Sequence, residues 1–257
     1  MPASAWDPNQ YNRFAAEREQ PFWDLASLLE PAPSPRVVDL GCGDGRLTAA
    51  LHQRLSARAT TGVDTSAEML AAARSQAAGT LRFVPGDMAT WSGARYDLVF
   101  SNAALQWVGD HASILGRWRR ALAAGGQLAV QVPANADHPT HRLAREVGAD
   151  WLGAAAPPDP VATNVLLPEE YAQLLELFGF ERQHVRLQVY GYRLPSTPDV
   201  VEWMKGTSLT RFKAVLPPDD FARFVDDYRR RLVAELGDHQ PYFYPFKRIL
   251  FWGRLPE

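Results

Sequence analysis

Three glycines alternate at positions 41, 43 and 45, in a segment that reads Asp-Leu-Gly-Cys-Gly-Asp-Gly from Asp39. Glycines at this spacing let a backbone turn sharply and come close to a ligand. A helix that follows such a turn supplies exposed N–H groups, so a nucleotide-like cofactor is the natural occupant. The dinucleotide fingerprint is G-x-G-x-x-G. Here the third glycine comes one residue early, and position 46 is Arg46. Asp39 sits at the loop entrance, where it can accept hydrogen bonds from a cationic amino-acid head group, whereas a pyrophosphate would be repelled by its carboxylate. Further along stand Asp64, Asp87 and Asn102, each at the end of an apolar run. Cys42 reads as a small packed residue and not a nucleophile, since no histidine partner is implied beside it.

The elements that must position these residues follow from periodicity. Phe22, Leu25, Leu28 and Leu29 recur at helical spacing, and Pro31, Pro33 and Pro35 end that helix. Short strands are expected at 36–40, 59–64, 81–84, 96–100 and 126–132. Between them lie a helix with Leu47, Leu51 and Leu55 on one stripe, a helix over 67–77 capped by Thr65 or Ser66, and a helix over 114–122 stopped by Gly125 and Gly126. Strands alternating with helices at this spacing predict a parallel, doubly wound α/β sheet. In the second half, 138–152 and 168–178 read as helices, and 154–160 as a loop with no stable element. A strand is expected over 181–194, helices over 197–207 and 217–236, and a final strand over 246–255. The helix over 217–236 sets Phe221, Phe224, Val225, Tyr228 and Leu232 on one face. The helical segment between the last two strands reads as an insertion forming a lid. The expected division is an arm and helix over 1–35, a cofactor-binding core over 36–135, and the end of the sheet with its helical substrate lid over 136–257.

The chain has 257 residues, 46% hydrophobic and 22% charged, an ordinary globular composition that excludes a disordered chain. Lys plus Arg is 27 and Asp plus Glu is 29, for a net charge of -2. That balance offers no basic field for a polyanion, so nucleic acid is not an expected partner. No apolar run approaches the ~20 residues needed to span a bilayer, and the N-terminus lacks the basic start and apolar core of a signal peptide. The one cysteine, Cys42, forms no internal disulfide, which fits a reducing compartment. The expectation is a soluble cytoplasmic protein, a monomer or homodimer, with no metal and no membrane partner.

Together these features resemble the class I S-adenosylmethionine-dependent methyltransferases. The glycine loop with Asp39 matches that family's first motif. Asp64 ends the second strand, where the family places an acid that grips both ribose hydroxyls, with Thr65 beside it. Asp87 matches its acid near the adenine amino group, with Met88 able to pack on the ring. Asn102 lies where the family lines the methionine moiety. The resemblance implies a seven-stranded Rossmann-like sheet and S-adenosylmethionine as cofactor, bound by Asp39, Gly41, Cys42, Gly43, Asp64, Thr65, Asp87, Met88, Asn102 and Trp107. Tyr11 and Arg18 would join from the N-terminal arm.

Over nearly its whole length the chain is also similar to a narrower group, the trans-aconitate methyltransferases. The similarity is carried by Trp6 to Tyr11 with Phe14, Glu17 and Arg18, by Ser101 to Trp107 with Asp110 and His111, and by Ala129 to Pro133 with Asn135. It continues through Pro139, Thr140, His141 and Arg145, through Trp203 and Gly206 to Leu209, and through Tyr244 to Arg248. The chain departs from the group at Arg46 and Leu47 after the glycines, and at Thr210 to Lys213 in place of an Arg-Pro pair. The resemblance implies conversion of a small polycarboxylate to a monomethyl ester. A carboxylate, with its usual pKa of about 4, is already ionised at neutral pH and needs no general base, so no catalytic residue is expected. Its remaining carboxylates need cations or hydrogen-bond donors. His138, Arg211, Tyr244 and Arg248 are the expected substrate-binding residues, with His141, Lys213, Tyr242 and Lys247 as further donors. Three other readings are weighed: a methyltransferase for another small O or N acceptor, a nicotinamide-dependent oxidoreductase, and a non-catalytic cofactor-binding regulator.

Overall fold

A computed structural model of the chain describes residues 15–257, with side chains from Glu19 onward. One sheet of seven strands runs in the order β3-β2-β1-β4-β5-β7-β6. Its strands are β1 (Arg36–Leu40), β2 (Ala59–Asp64), β3 (Leu81–Pro85), β4 (Tyr96–Asn102), β5 (Leu122–Pro133), β6 (Arg182–Leu194) and β7 (Tyr242–Arg254). β1 pairs in parallel with β2 and with β4, β2 with β3, and β4 with β5, while β7 lies antiparallel to β5. The strand order reverses between β1 and β4. That reversal opens a crevice at the carboxyl ends of the parallel strands, the place where open α/β sheets bind ligands. The expected doubly wound architecture is therefore present, and it delivers Asp39, Asp64, Asp87 and Asn102 to one edge of the sheet.

The described chain divides into two compact units. The first comprises Glu19–Pro133, Asn164–Gln188 and Arg248–Glu257; the second comprises Ala134–Thr163 and Val189–Lys247. In the first, α1 (Ala15–Ala26) lays Phe22, Leu25 and Ala26 on Val37, Leu98, Phe100 and Trp252. Gln127 closes this core chemically. Its amide exchanges two hydrogen bonds with the Glu30 backbone, and its Oε1 also accepts from Trp252 Nε1 at 2.9 Å.

The second unit is an aromatic core. α5 (Pro139–Leu152) packs against α10 (Pro218–Leu236), and Tyr228 of α10 donates to the Thr140 carbonyl at 2.9 Å. Phe212 and Phe224 meet at 4.5 Å between ring centroids, and Tyr192 stacks on Trp203 at 5.1 Å. Of the face expected on α10, Phe224, Val225, Tyr228 and Leu232 are buried and Phe221 is partly so. α8 (Asp199–Lys205) and the single turn α9 (Thr210–Lys213) complete the segment between β6 and β7. Among the described residues, no helix is long and apolar enough to cross a membrane.

Several boundaries differ from expectation, each for a local reason. The helix expected over 67–77 stops as α3 (Ala67–Ala73), capped by Ser66, and continues as a 3₁₀ turn, Arg74–Gln76. The helix expected over 114–122 starts earlier, as α4 (His111–Ala121), because Asp110 caps it by accepting from Ser113 N. β5 begins at Leu122 because a register shift between Tyr96 and Leu98 absorbs the Gly125–Gly126 pair as an irregularity inside the ladder. β7 begins at Tyr242, four residues early. Pro245 breaks the donor pattern of a strand, but Tyr242, Tyr244 and Phe246 alternate inward with Phe243 outward, and that period of two holds the segment extended. The loop expected over 154–160 instead contains a 3₁₀ turn, Gly153–Ala155, and leads into the short α6 (Pro160–Asn164). Asp159 caps that helix with Pro160 as its first residue, the arrangement proline favours. α7 (Pro168–Leu177) matches its expected start.

The glycine loop is held by packing from behind. A Cβ on Gly45 would lie 2.6 Å from the Phe83 ring, and one on Gly62 would lie 2.5 Å from the same ring and 2.9 Å from Cys42 Sγ. Phe83 thus fills the space that both glycines leave. Gly62→Ala should destabilise the fold by about 1–3 kcal/mol through overpacking. Urea unfolding of parent and variant checks this, and an unchanged midpoint would contradict the packing role.

Candidate functional site

The cofactor cup starts where β1 ends. Gly41 N and Cys42 N both donate to the Val63 carbonyl, at 2.8 and 3.1 Å, tying the loop back to β2. Gly43 N donates to Asp64 Oδ2 at 2.9 Å, Gly45 N to the Cys42 carbonyl at 3.2 Å, and Arg46 N to Asp44 Oδ1 at 3.1 Å. Four amides of the loop, those of Gly41, Cys42, Gly43 and Gly45, are therefore occupied within the protein. A phosphate nest needs several convergent free amides, and this loop does not provide them. Gly41 (φ +83°) is held by close approach: a Cβ there would collide with the Ala104 Cβ and lie 3.1 Å from Met88 Cε. Gly43 (φ +57°) opens onto free space, and its backbone is the part of the loop that a ligand can approach.

Asp39 lies in β1 and is 3% exposed. Thr48 Oγ1, from α2 (Arg46–Arg54), donates to its Oδ2 at 2.5 Å. Burial pushes its pKa from 3.8 up to about 7. The Thr48 bond pulls the other way, and the charge of Asp64 adds to the rise. Such a carboxylate gains most from a cation placed against it. Asn102, at the end of β4, adds a second acceptor: its Oδ1 is buried with no hydrogen-bond partner among the described residues. Buried polar atoms normally find partners, so a donor is called for here.

Asp64, at the end of β2, is half-buried, and its carboxylate is aimed by the backbone. Gly43 N binds Oδ2, and Ser66 N binds Oδ1 at 2.9 Å. A carboxylate has about four acceptor directions, so two remain for hydroxyl donors. Thr65 beside it is exposed. Asp87 is also exposed and accepts from Ala89 N at 2.8 Å, so it shapes its own turn while one oxygen stays clear. Met88 bends back over Gly41, its carbonyl held by Trp118 Nε1 at 3.2 Å. Trp107 is 52% exposed and so is not a core residue. Burial lifts the Cys42 thiol far above its ordinary range, reinforced by the charges of Asp39 and Asp64, so it stays protonated. Tyr11 lies outside the described residues, as does the side chain of Arg18.

The expected acceptor residues fare differently. His138 caps α5: its Nδ1 accepts from Thr140 N at 3.3 Å and lies 3.0 Å from Thr140 Oγ1. Burial drives its pKa down to about 4, with the neighbouring His141 charge acting the same way. His138 is therefore a neutral imidazole, and with Nδ1 accepting, its proton sits on Nε2. Tyr244 is fully buried in the aromatic core and lies 3.3 Å from Thr140 Oγ1. Arg248, in β7, is 6% exposed and donates to Gln131 Oε1 at 3.2 Å. Arg211, in α9, has a side chain only 10% exposed, and none of its three guanidinium nitrogens finds a hydrogen-bond partner among the described residues. Of the further donors, Lys213 is exposed, Tyr242 is in the core, and Lys247 pairs with Asp137. Asp159 and Arg145, which contact one another at 3.2 Å in the second unit, were not among the expected site residues. The i,i+4 spacing of His141 and Arg145 on α5 was the available signal.

Comparison with known proteins agrees with this geometry. A family model described as a methyltransferase domain matches residues 37–126, which span the glycine loop and strands β1 to β4. The trans-aconitate 2-methyltransferase of Deinococcus radiodurans is 42% identical, over 98% of this chain and 99% of that protein. The protein of the same name from Streptomyces coelicolor is 40% identical, over 100% of this chain and 89% of its own length. In fold, the chain is similar to phosphoethanolamine N-methyltransferase 2 of Haemonchus contortus solved with S-adenosyl-L-methionine. That match has a TM-score of 0.59 and 17% identity, and covers 93% of this chain and 53% of that one. Identity at this level over the full length, with the buried acceptors Asp39 and Asn102 at the ends of β1 and β4, carries one conclusion: the chain belongs to the trans-aconitate 2-methyltransferase family of methyltransferases.

Proposed function

We propose that the chain transfers the methyl group of S-adenosylmethionine to a carboxylate of trans-aconitate or a closely related small polycarboxylate, giving the monomethyl ester. The observation that carries the cofactor reading is the pair of buried acceptors, the Asp39 carboxylate and Asn102 Oδ1, at the carboxyl ends of β1 and β4. An ammonium group, with three donors and one positive charge, is their chemical complement. The residues present therefore fit the amino-acid end of this cofactor. Asp64 has acceptor directions left for a ribose diol, and Asp87 with Met88 would hold the purine. When bound, the cofactor supplies a methyl carbon made electrophilic by its sulfonium.

The chain's own residues are asked for little acid–base work. A carboxylate acceptor is ionised at neutral pH, so no proton need be removed before its oxygen attacks. What the protein contributes is alignment of the acceptor oxygen and exclusion of water around it. The protonated Cys42 thiol and the neutral His138 ring are suited to packing and hydrogen bonding, and neither is a nucleophile or base in this reading. Arg211 and Arg248 are the cations assigned to the acceptor's carboxylates.

An initial-rate assay with methyl-labelled cofactor tests the proposal against di- and tricarboxylates, phenols and amines. Label should enter trans-aconitate as a base-labile ester; label entering only amines or phenols would overturn it. Asp39→Asn probes the cup through stability as well. Unfolded, a carboxyl titrates near 4, whereas folded Asp39 titrates at about 7. Between these values the folded chain holds a proton that the unfolded chain has lost, so Asp39 costs stability progressively as pH rises from about 4 to about 7. Without added cofactor, Asp39→Asn should therefore be more stable than the parent at pH 8, by up to about 4 kcal/mol, with the difference vanishing near pH 4. The same variant should bind cofactor at least tenfold more weakly by calorimetry.

A further inference from the structure

In the second unit, three basic side chains converge on one buried carboxylate. The Asp159 side chain is fully enclosed. Its Oδ2 lies 3.0 Å from His141 Nδ1 and accepts from Arg145 Nη1 at 3.2 Å. Its Oδ1 accepts from Val161 N at 3.1 Å and lies 3.7 Å from Arg211 Nη1. Burial opposes ionisation of Asp159, but the His141 hydrogen bond and the charges of His141 and Arg211 outweigh it, and the carboxyl is held at about 2. One negative charge thus faces two guanidinium charges, and the cluster carries a surplus of positive charge.

The two arginines are not equivalent. Arg145 Nη1 donates both to Asp159 Oδ2 and to the Ala136 carbonyl at 2.9 Å. Arg211 reaches Asp159 only at 3.7 Å, beyond hydrogen-bond range, while its guanidinium carbon lies 4.6 Å from the centroid of the Phe212 ring. A buried guanidinium without hydrogen bonds is costly, and a carboxylate is the group whose geometry matches its fork.

We propose that Asp159 is a positioning residue for acceptor specificity: it holds Arg211 by one long ion pair and leaves that guanidinium's fork for a second, unmethylated carboxylate of the acceptor. The inference rests on the carboxyl methyl transfer proposed above and adds a rule to it. Methyl transfer removes the charge of one carboxylate, so the surplus charge of the cluster needs another that stays ionised. The acceptor class is therefore the di- and tricarboxylates and excludes monocarboxylates. His141 and Arg145, both on α5, fix Asp159 from the opposite oxygen and so fix where Arg211 sits.

The test compares trans-aconitate with crotonate, a monocarboxylate with a trans double bond, using the full-length enzyme. The parent should prefer trans-aconitate at least a hundredfold in kcat/KM. Asp159→Asn should raise the KM for trans-aconitate at least tenfold while cofactor Kd and the rate with crotonate stay within threefold, and Asp159→Glu should recover part of the loss. Arg211→Gln should likewise raise the KM for trans-aconitate at least tenfold, and in the double variant the two effects should not add, because both act through one guanidinium. An unchanged or lower KM in Asp159→Asn overturns the proposal, as does full additivity. If Asp159→Asn fails to fold, Arg211→Gln decides alone: the preference for trans-aconitate must fall at least tenfold, and an unchanged preference overturns the proposal. A parent enzyme that methylates both acids equally overturns this inference and leaves methyl transfer standing. A parent that methylates neither overturns both.

Discussion

A carboxylate buried without a counter-charge is the constraint around which the cofactor cup is arranged. Asp39 lies in the interior of the sheet because β1 is flanked by β2 and β4, beside the point where the strand order reverses. Only one hydroxyl, that of Thr48, reaches it from the helix beyond the loop. Apolar replacement would give a quieter core, so the residue makes physical sense as half of an interaction that a cationic ligand completes. The rest of the cup follows from it. The amides of Gly41, Cys42 and Gly43 are turned inward onto Val63 and Asp64, which weakens the attraction for phosphate, and Asn102 Oδ1 is left buried without a donor.

The second unit shows the same logic with the sign reversed. There the under-compensated group is a cation, Arg211, and the surplus charge is positive. Each unit by itself carries an electrostatic imbalance that one part of the reaction can relieve, an ammonium in one case and a carboxylate in the other. A methyl transfer between a sulfonium and a polyanion needs both kinds of imbalance and no proton shuttle. Asp39 and Cys42 in the first unit and His138 in the second are each perturbed chiefly by burial and not by a catalytic partner.

The turn and strand ends that form the candidate cup are legible in the amino-acid sequence because their requirements are local. Gly41 and Gly43 adopt positive φ, which only glycine does cheaply, and each acid falls at the end of an apolar run. The acceptor side was far less legible. Tyr244 and His138 have the chemistry of substrate donors, yet both engage Thr140 and the aromatic core, and no spacing reveals that. Asp159 stood in a stretch of alanines and prolines that reads as loop, although its position before Pro160 is a cap signal. Its convergence with residues 141, 145 and 211 is purely tertiary. β7 extends four residues ahead of its expected start because the Tyr242, Tyr244 and Phe246 side chains pack inward on either side of Pro245.

Phe83 has a consequence for how this protein can vary. One ring fills the space left by glycines in two different segments, the loop after β1 and the middle of β2. Gly45 is held in any case by its positive φ and by Ala73, whereas Gly62 can drift to a larger residue only if position 83 shrinks and Cys42 gives way at the same time. Positions 62 and 83 are therefore coupled in any library of functional variants, and recombining β2 and β3 from diverged parents would break the combination unless both travel together.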